Sequence, residues 1–272
     1  MRDIVLVGSG NVAWHLAHAL GDRLAAVASR TREHAEALAR QCSVPQAVAL
    51  EEVAALQPRF VIFSLADQGL DEAVARVGAI PGEPVCVHTS GTMPMECLRP
   101  VSPRYGVLYP LQTFTAGSPV NMREVPFFTE AVDVATLAEI DALAHTLSDS
   151  VYHADAAARK VLHVAGVFTS NFPNALLEIV EQLLARENYP LSTIRPLLEA
   201  TMAKAFARGP HAAQTGPARR GDKAVIAAHL DTLSGAERAI YAAVSDYILA
   251  SHGHGAMDNS SLTQLSGTEN II

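Results

Sequence analysis

The segment RKVLHVAGVFTSNFPN places Lys160, His163, Val167, Asn171 and Asn174 at successive spacings of three, four, four and three residues. On an α-helix that spacing aligns them along one face. All but Val167 can hydrogen-bond, while Val161, Leu162, Val164, Phe168, Leu176, Leu177 and Ile179 make the remaining faces apolar. The helix is therefore expected to be largely buried, and its polar groups need partners. Internal hydrogen bonds to neighbouring helices are one possibility; a ligand is the other. In the second case Asn171 is placed to hydrogen-bond a reacting group, His163 or Lys160 to donate a proton, and Asn174 to contact the substrate. Pro173 has no N–H for the carbonyl of Thr169 and its ring crowds that carbonyl, so a kink is expected beside Asn171.

A second pattern with chemical content opens the chain. Gly8-Ser9-Gly10-Asn11-Val12-Ala13 is a G-x-G-x-x-A element between the apolar run IVLV and a helical segment. The first glycine permits a tight turn, the second lets a pyrophosphate approach the backbone, and the small last residue lets helix and strand pack closely. The helix N-terminus presents unpaired N–H groups to the phosphates. About twenty residues on, VASRTR at 27–32 lacks the carboxylate that accepts hydrogen bonds from the ribose 2′-OH of NAD. Ser29, Arg30 and Thr31 instead suit a 2′-phosphate, with Arg30 the stronger candidate. The alternative is a solvated helix start with Thr31 as its N-cap.

Ligands of open α/β sheets bind beyond the carboxyl ends of the strands, which singles out two more stretches. Ser64, Leu65 and Ala66 follow the run FVIF, and His88, Thr89, Ser90 and Gly91 close the run VCVH. Ser64, Leu65, Ala66 and His88 are assigned to the cofactor, Ser90 and Gly91 to the substrate; an ordinary turn is the alternative for Ser90 and Gly91. The turn TGPARRGD at 215–222 carries Arg220, a candidate for an acidic group, with Asp222 the expected cap of the next helix.

These residues require a particular framework. Short apolar runs at Ile4–Val7, Leu24–Ala28, Phe60–Phe63, Val85–His88 and 105–108 alternate with helical patterns at 32–40 and Asp67–Val77. Such alternation predicts an α/β fold with a doubly wound, parallel sheet. A strand at 126–129, a helix at Val134–Leu147 and a strand at 150–153 complete that layer. After Asp155 the pattern is helical, at 156–185, 192–208, 222–233 and Gly235–Ser251. The expected organisation is a dinucleotide-binding domain at 1–153, an all-α substrate and dimerisation domain at 154–251, and a flexible tail at 252–272, rich in Gly, Ser, Thr and Asn.

Composition narrows the partners. Against 20 basic residues the chain has 28 acidic ones, a net charge of -8 that gives no electrostatic reason to bind nucleic acid or an anionic membrane. No apolar run reaches the length of a membrane span and no secretory signal is evident, so a cytoplasmic protein is expected. The 3 cysteines form no CxxC pair, and His15 and His18 on the first helix lack a third ligand, so no metal site is expected.

GSGNVA, HTSG at 88–91, YPLQTF at 109–114, HVAGVFTSNFPN at 163–174 and the GPARRGD turn together resemble the Rossmann-like proteins that carry a C-terminal domain of unknown function. That group is related to pyrroline-5-carboxylate reductase and deazaflavin-dependent NADP reductases. The resemblance implies a Rossmann domain, a helical domain of the 6-phosphogluconate-dehydrogenase C-terminal type, NADP-linked oxidoreductase activity and a homodimer through the helices. Thr169-Ser170-Asn171-Phe172-Pro173 replaces the Gly-Ser-Gly-Pro element of the pyrroline-5-carboxylate reductases, which argues against proline-pathway activity. The expected function is NADPH-dependent reduction of a small carbonyl or imine held between the domains; a non-catalytic NADPH sensor is the alternative.

Overall fold

The central strand runs are apolar on both faces because both faces are covered. In the computed structural model, which describes residues 2–257, eight strands form one sheet. They are β1 (Ile4–Val7), β2 (Leu24–Ala28), β3 (Gln46–Val48), β4 (Phe60–Phe63), β5 (Val85–His88), β6 (Tyr105–Pro110), β7 (Phe127–Ala131) and β8 (Val151–His153). Their spatial order is β3-β2-β1-β4-β5-β6-β7-β8. All neighbours are parallel except β6 and β7, which run antiparallel. The chain reverses its direction of growth between β1 and β4, the crevice where this topology binds ligands.

Alternation along β1 shows how the layers form. Ile4 and Leu6 join a core with α1 (Asn11–Leu20), α2 (Arg32–Gln41) and α4 (Val134–Leu147). Val5 and Val7 point the other way, into a core with α3 (Asp67–Val77) and the short 3₁₀ turns at Leu50–Leu56 and Met95–Leu98. Asp133 starts α4 by accepting from Thr136 N at 2.7 Å. The three-residue edge strand β3 is absent from the pattern reading: Gln46 is exposed and the run is too short to show periodicity.

After β8, Asp155 caps α5 (Ala156–Gly166) through Ala158 N at 2.8 Å. A π-helical turn, Val167–Asn171, then leads directly into α6 (Phe172–Arg186). The expected kink at Pro173 is thus realised as a widened turn inside a continuing helix. Extra residues in a π turn relieve the clash that a proline creates in regular α geometry, and such turns concentrate at functional sites. A second expectation is corrected: these helices are not buried within the chain. Val161 is 71% and Phe168 65% exposed, with Val164, Phe172 and Leu176 also open.

The chain divides into two compact units, one Met1–Pro173 and the other beginning at Asn174. The division falls one helix later than the change from strands to helices. In the second unit follow α7 (Arg195–Arg208), the single turns α8 (Pro210–Ala213) and α9 (Pro217–Arg220), α10 (Lys223–Asp231) and α11 (Gly235–Ser251). Asp222 caps α10 by accepting from Val225 N at 3.2 Å. Ile226, Leu230, Ala242, Leu249 and Met257 make a small core there. The expected tail starts later than 252: Lys223 Nζ donates to Ala256 O at 2.8 Å and Met257 N to Asp246 Oδ1 at 2.8 Å. Residues 258–272 lie outside the described residues.

Candidate active site

Four loops leave the carboxyl ends of adjacent strands within the first unit. Gly8 follows β1 with φ +128°, and a Cβ there would lie 2.0 Å from Ser64 O after β4. Only glycine satisfies both the left-handed backbone and that approach. Gly10, the N-cap of α1, has the opposite surroundings: a Cβ built on it meets nothing within 4 Å, and it offers no side chain to cap the helix. An open backbone at a helix N-terminus is the cradle a pyrophosphate needs, so this loop fits a dinucleotide. Asn11 accepts from Ala116 N at 3.1 Å and ties the loop after β6 to the same end of the sheet.

At the end of β2, Ser29 is buried and its hydroxyl lies 3.2 Å from that of Ser9. Arg30 is exposed and spans to α3, where Nη1 reaches Glu72 Oε2 at 3.4 Å and the guanidinium passes over Gly69. Thr31 is the N-cap of α2 in position, yet its side chain makes no capping bond. Arg30 is an exposed cation next to Ser29 and Thr31 in sequence, with a carboxylate as its partner.

Between the ends of β1, β4, β5 and β6 and the helix α5 lies a cavity of about 730 Å³, a volume suited to a small ligand. Gly10, Asn11 and Val12 form one part of its wall, Ser64, Leu65 and Ala66 another, Ser90 and Gly91 a third, and His163 and Asn171 a fourth. Gly8, Ser9, Ser29, Arg30, Thr31 and His88 stand outside the lining, as do Lys160 and Asn174, both exposed. Arg220 is exposed on α9 in the second unit.

His88 supports the wall from beneath. It is fully buried, its Nδ1 accepts from Ser90 N at 3.2 Å, and its Nε2 has no partner. Burial, helped by the positive charge of Arg159, pushes its pKa down to about 4. It is a neutral imidazole that shapes the Ser90 turn. Ser90 Oγ in turn accepts from Thr92 N and Met93 N, each at 3.0 Å.

Part of α5 and of the π turn borders the cavity. His163, Gly166, Val167, Ser170 and Asn171 line it, whereas Lys160 at one end and Asn174 at the other do not. Thr169 Oγ1 donates back to Ala165 O at 2.7 Å.

Asp67, which follows Ser64-Leu65-Ala66 in the stretch expected to face the cofactor, does line the cavity, and Tyr109 and Thr92 join it there without any local sequence signal. Tyr109, at the end of β6, is buried and its hydroxyl lies 3.3 Å from His163 Nδ1. A Cβ at Gly91 would lie 2.8 Å from the Tyr109 ring, so the glycine of HTSG is there to admit that ring. Thr92 Oγ1 donates to Asp67 Oδ2, and Asp67, Tyr109 and His163 are the ionisable side chains of the lining. Arg159 is fully buried beside Lys160; it pairs with Glu130 and donates to Met93 O at 2.9 Å and Ala154 O at 3.3 Å. It joins α5 to β7 and to the loop after β5. Its only sequence signal was its place in an apolar run, which an arginine next to an exposed lysine conceals.

Residues 125–248 match a domain of unknown function, DUF2520. A protein from Bacteroides fragilis, provisionally described as an NADP oxidoreductase, is 39% identical with a TM-score of 0.83, over 91% of this chain and 97% of that one. The chain belongs to the DUF2520 family of Rossmann-type proteins. A protein from Thermotoga maritima shares 20% identity and a TM-score of 0.76, over 92% of this chain and 99% of that one. A reductive aminase from Aspergillus terreus, in complex with NADPH and ethyl-5-oxohexanoate, shares 14% identity and a TM-score of 0.59, over 97% and 91%. At such identity the likeness is one of fold. No curated protein matches significantly. The family is the one that the GSGNVA, HTSG and HVAGVFTSNFPN motifs suggested. Among the described residues no helix is long and apolar enough to cross a membrane.

Proposed function

We propose that the protein is an NADP-linked oxidoreductase that reduces a small carbonyl or imine compound in the cavity at the carboxyl ends of β1, β4, β5 and β6. The observation that carries this reading is the cavity itself, in which an open glycine cradle and a hydrogen-bonded tyrosine and histidine share one wall system. A sensor needs the cradle but not the ionisable pair. NADP, when bound, supplies or accepts the hydride. Gly10 and the N-terminus of α1 hold the pyrophosphate, and Ser29, Arg30 and Thr31 hold the 2′-phosphate. Ser64, Leu65 and Ala66 border the cofactor, Ser90 positions the acceptor, and Asn171 hydrogen-bonds the reacting group. The proton enters from the His163 side.

The description of the 39% identical protein as an NADP oxidoreductase supports the cofactor. NADPH is expected to raise the melting temperature, and at least one compound in a panel of keto acids, simple ketones and cyclic imines to oxidise it. If NADPH binds but every panel member is inert, and replacing Asn171 and His163 changes nothing measurable, the sensor reading takes over.

The exposed apolar side chains of α5 and the π turn, Val161, Val164 and Phe168, support a homodimer. Contiguous patches of this kind mark association sites. Light scattering on the purified chain is expected to give twice the mass of 28.9 kDa, and a monomer at all concentrations rejects this assembly.

A further inference from the structure

We infer that Tyr109 is the group that hands the proton to the acceptor atom, and that His163 refills it from solvent. This rests on the reductase reading and names the proton path within it. The two side chains come from elements far apart in sequence, the end of β6 and the cavity face of α5, and they meet with the phenol oxygen 3.3 Å from His163 Nδ1. Both border the cavity. They differ in access: Tyr109 is buried, His163 exposed.

That division fits a two-stage transfer. Burial raises the Tyr109 phenol above its ordinary value, so it holds its proton through neutral pH and can donate only when negative charge develops on a neighbour. The ring has little freedom to turn away, because Gly91 lies against its Cζ and Cε2 edge and any side chain there would collide. Phe128 borders the same ring, with centroids 6.4 Å apart. A donor fixed in this way is oriented before the reaction begins. His163 sits where a proton from water can reach it.

Asn171 differs in kind. Its amide can hydrogen-bond the acceptor but has no proton to give, and Lys160 lies outside the lining. Among the lining side chains, Asp67 is engaged by the Thr92 hydroxyl. Tyr109 and His163 remain as the acid and its source. The step balances as follows. The acceptor carbon gains a C–H bond from the hydride of reduced nicotinamide, the C=O or C=N π pair moves to the heteroatom, and that heteroatom takes the Tyr109 proton. The phenolate then takes a proton from protonated His163, which is restored by water.

The test uses the full-length protein with NADPH and with pyruvate, butanone and pyrroline as acceptors. Tyr109→Phe is expected to lower kcat on the best of these by about a hundredfold or more, the usual worth of a positioned general acid, while NADPH affinity stays within about twofold. His163→Ala is expected to lose turnover and to regain part of it on addition of imidazole, which a packing role would not produce. Independently of turnover, nitrogen-edited NMR of the histidine rings should show the His163 resonances displaced in Tyr109→Phe. Unchanged kcat in Tyr109→Phe, absent imidazole rescue or unmoved His163 resonances each overturn the proposal. A wild-type protein inert with all three acceptors and the wider panel instead rejects the reductase reading, and the donor role with it.

Discussion

Strands β1, β4 and β5 and helices α5 and α6 all carry large apolar side chains, and the chain treats them in opposite ways. Every residue of those three strands is buried, with one helical layer on each face of the sheet. On α5 and α6 nearly the same residue types stand open, Val161 and Phe168 above all, and within α5 only Arg159 is buried. The difference shows what hydrophobic periodicity carries. It reports which face must leave water; it does not report whether that cover comes from the same chain. The one buried residue of α5, which pairs it with β7, is a charged one.

Breaking that pairing should have the largest effect. Arg159 is fully enclosed, and truncation strands Glu130 and the Met93 and Ala154 carbonyls. Removing one member of a buried pair costs about 3–5 kcal/mol. Arg159→Ala is expected to lose that much in urea unfolding, and Arg159→Met, paired with Glu130→Gln, distinctly less. A loss below about 1 kcal/mol in Arg159→Ala would mean that α5 is held by something else, and the contrast between sheet and helix would lose its hinge point.

The sheet side can be tested with pH. His88 is buried as a neutral ring, with its pKa lowered from 6.5 to about 4 by burial first and by Arg159 second. Because the folded value lies below the unfolded one, the unfolded chain binds the extra proton between those limits. Stability is therefore full above pH 6.5 and falls as the pH drops from there towards about 4, by about 3 kcal/mol for this group. Unfolding free energies of wild type and His88→Gln should diverge by this amount between the two ends of that window. Parallel curves would show that His88 titrates as an exposed ring does. In Arg159→Met the midpoint should move upward, since a repelling charge has gone.

The helix side is tested by charging its open face. Phe168 and Phe172 meet edge to face at 4.8 Å and are both exposed. If they are the centre of a subunit contact, Phe168→Asp should weaken the dimer at least about thirtyfold, roughly 2 kcal/mol, with little loss of monomer stability. Sedimentation equilibrium reads the first and thermal unfolding the second. An unchanged dimer would place the contact elsewhere; destabilisation without dissociation would mean that Phe168 packs within the chain.

The same contrast explains what could be read from residues alone. The α/β layer was legible almost strand by strand, because a strand covered on both faces must be continuously apolar and must end at a turn. Gly8 was legible for the same reason: a turn with positive φ against a neighbouring carbonyl admits no other residue. The face bearing His163 and Asn171 was legible as a spacing, but its limits were not: Lys160 and Asn174, one step beyond the lining at either end, stand outside it, and a spacing does not say where a cavity stops. Tyr109 and Arg159 were hidden for a different reason. Their roles come from contacts across 54 and 29 residues of sequence, to His163 and Glu130, and no local pattern marks a partner so distant.

The smallest expected effect concerns the residue most easily read, Arg30. Its guanidinium rests over Gly69 and pairs at 3.4 Å with Glu72, both partners about half exposed. Surface pairs of this kind hold weakly, so a 2′-phosphate can take the arginine from the carboxylate. Glu72 also lies 3.6 Å from Arg76, which pairs with Glu51 at 2.7 Å, so the carboxylate is not left without a cation when Arg30 turns away. Arg30→Ala should cut the preference for NADPH over NADH about tenfold, and Glu72→Gln, by removing the competitor, should raise NADPH affinity about twofold without altering NADH. Adenosine 2′,5′-bisphosphate and AMP, titrated calorimetrically against both variants, isolate the phosphate from the rest of the cofactor. A preference that survives Arg30→Ala would move the 2′-phosphate off this strand end.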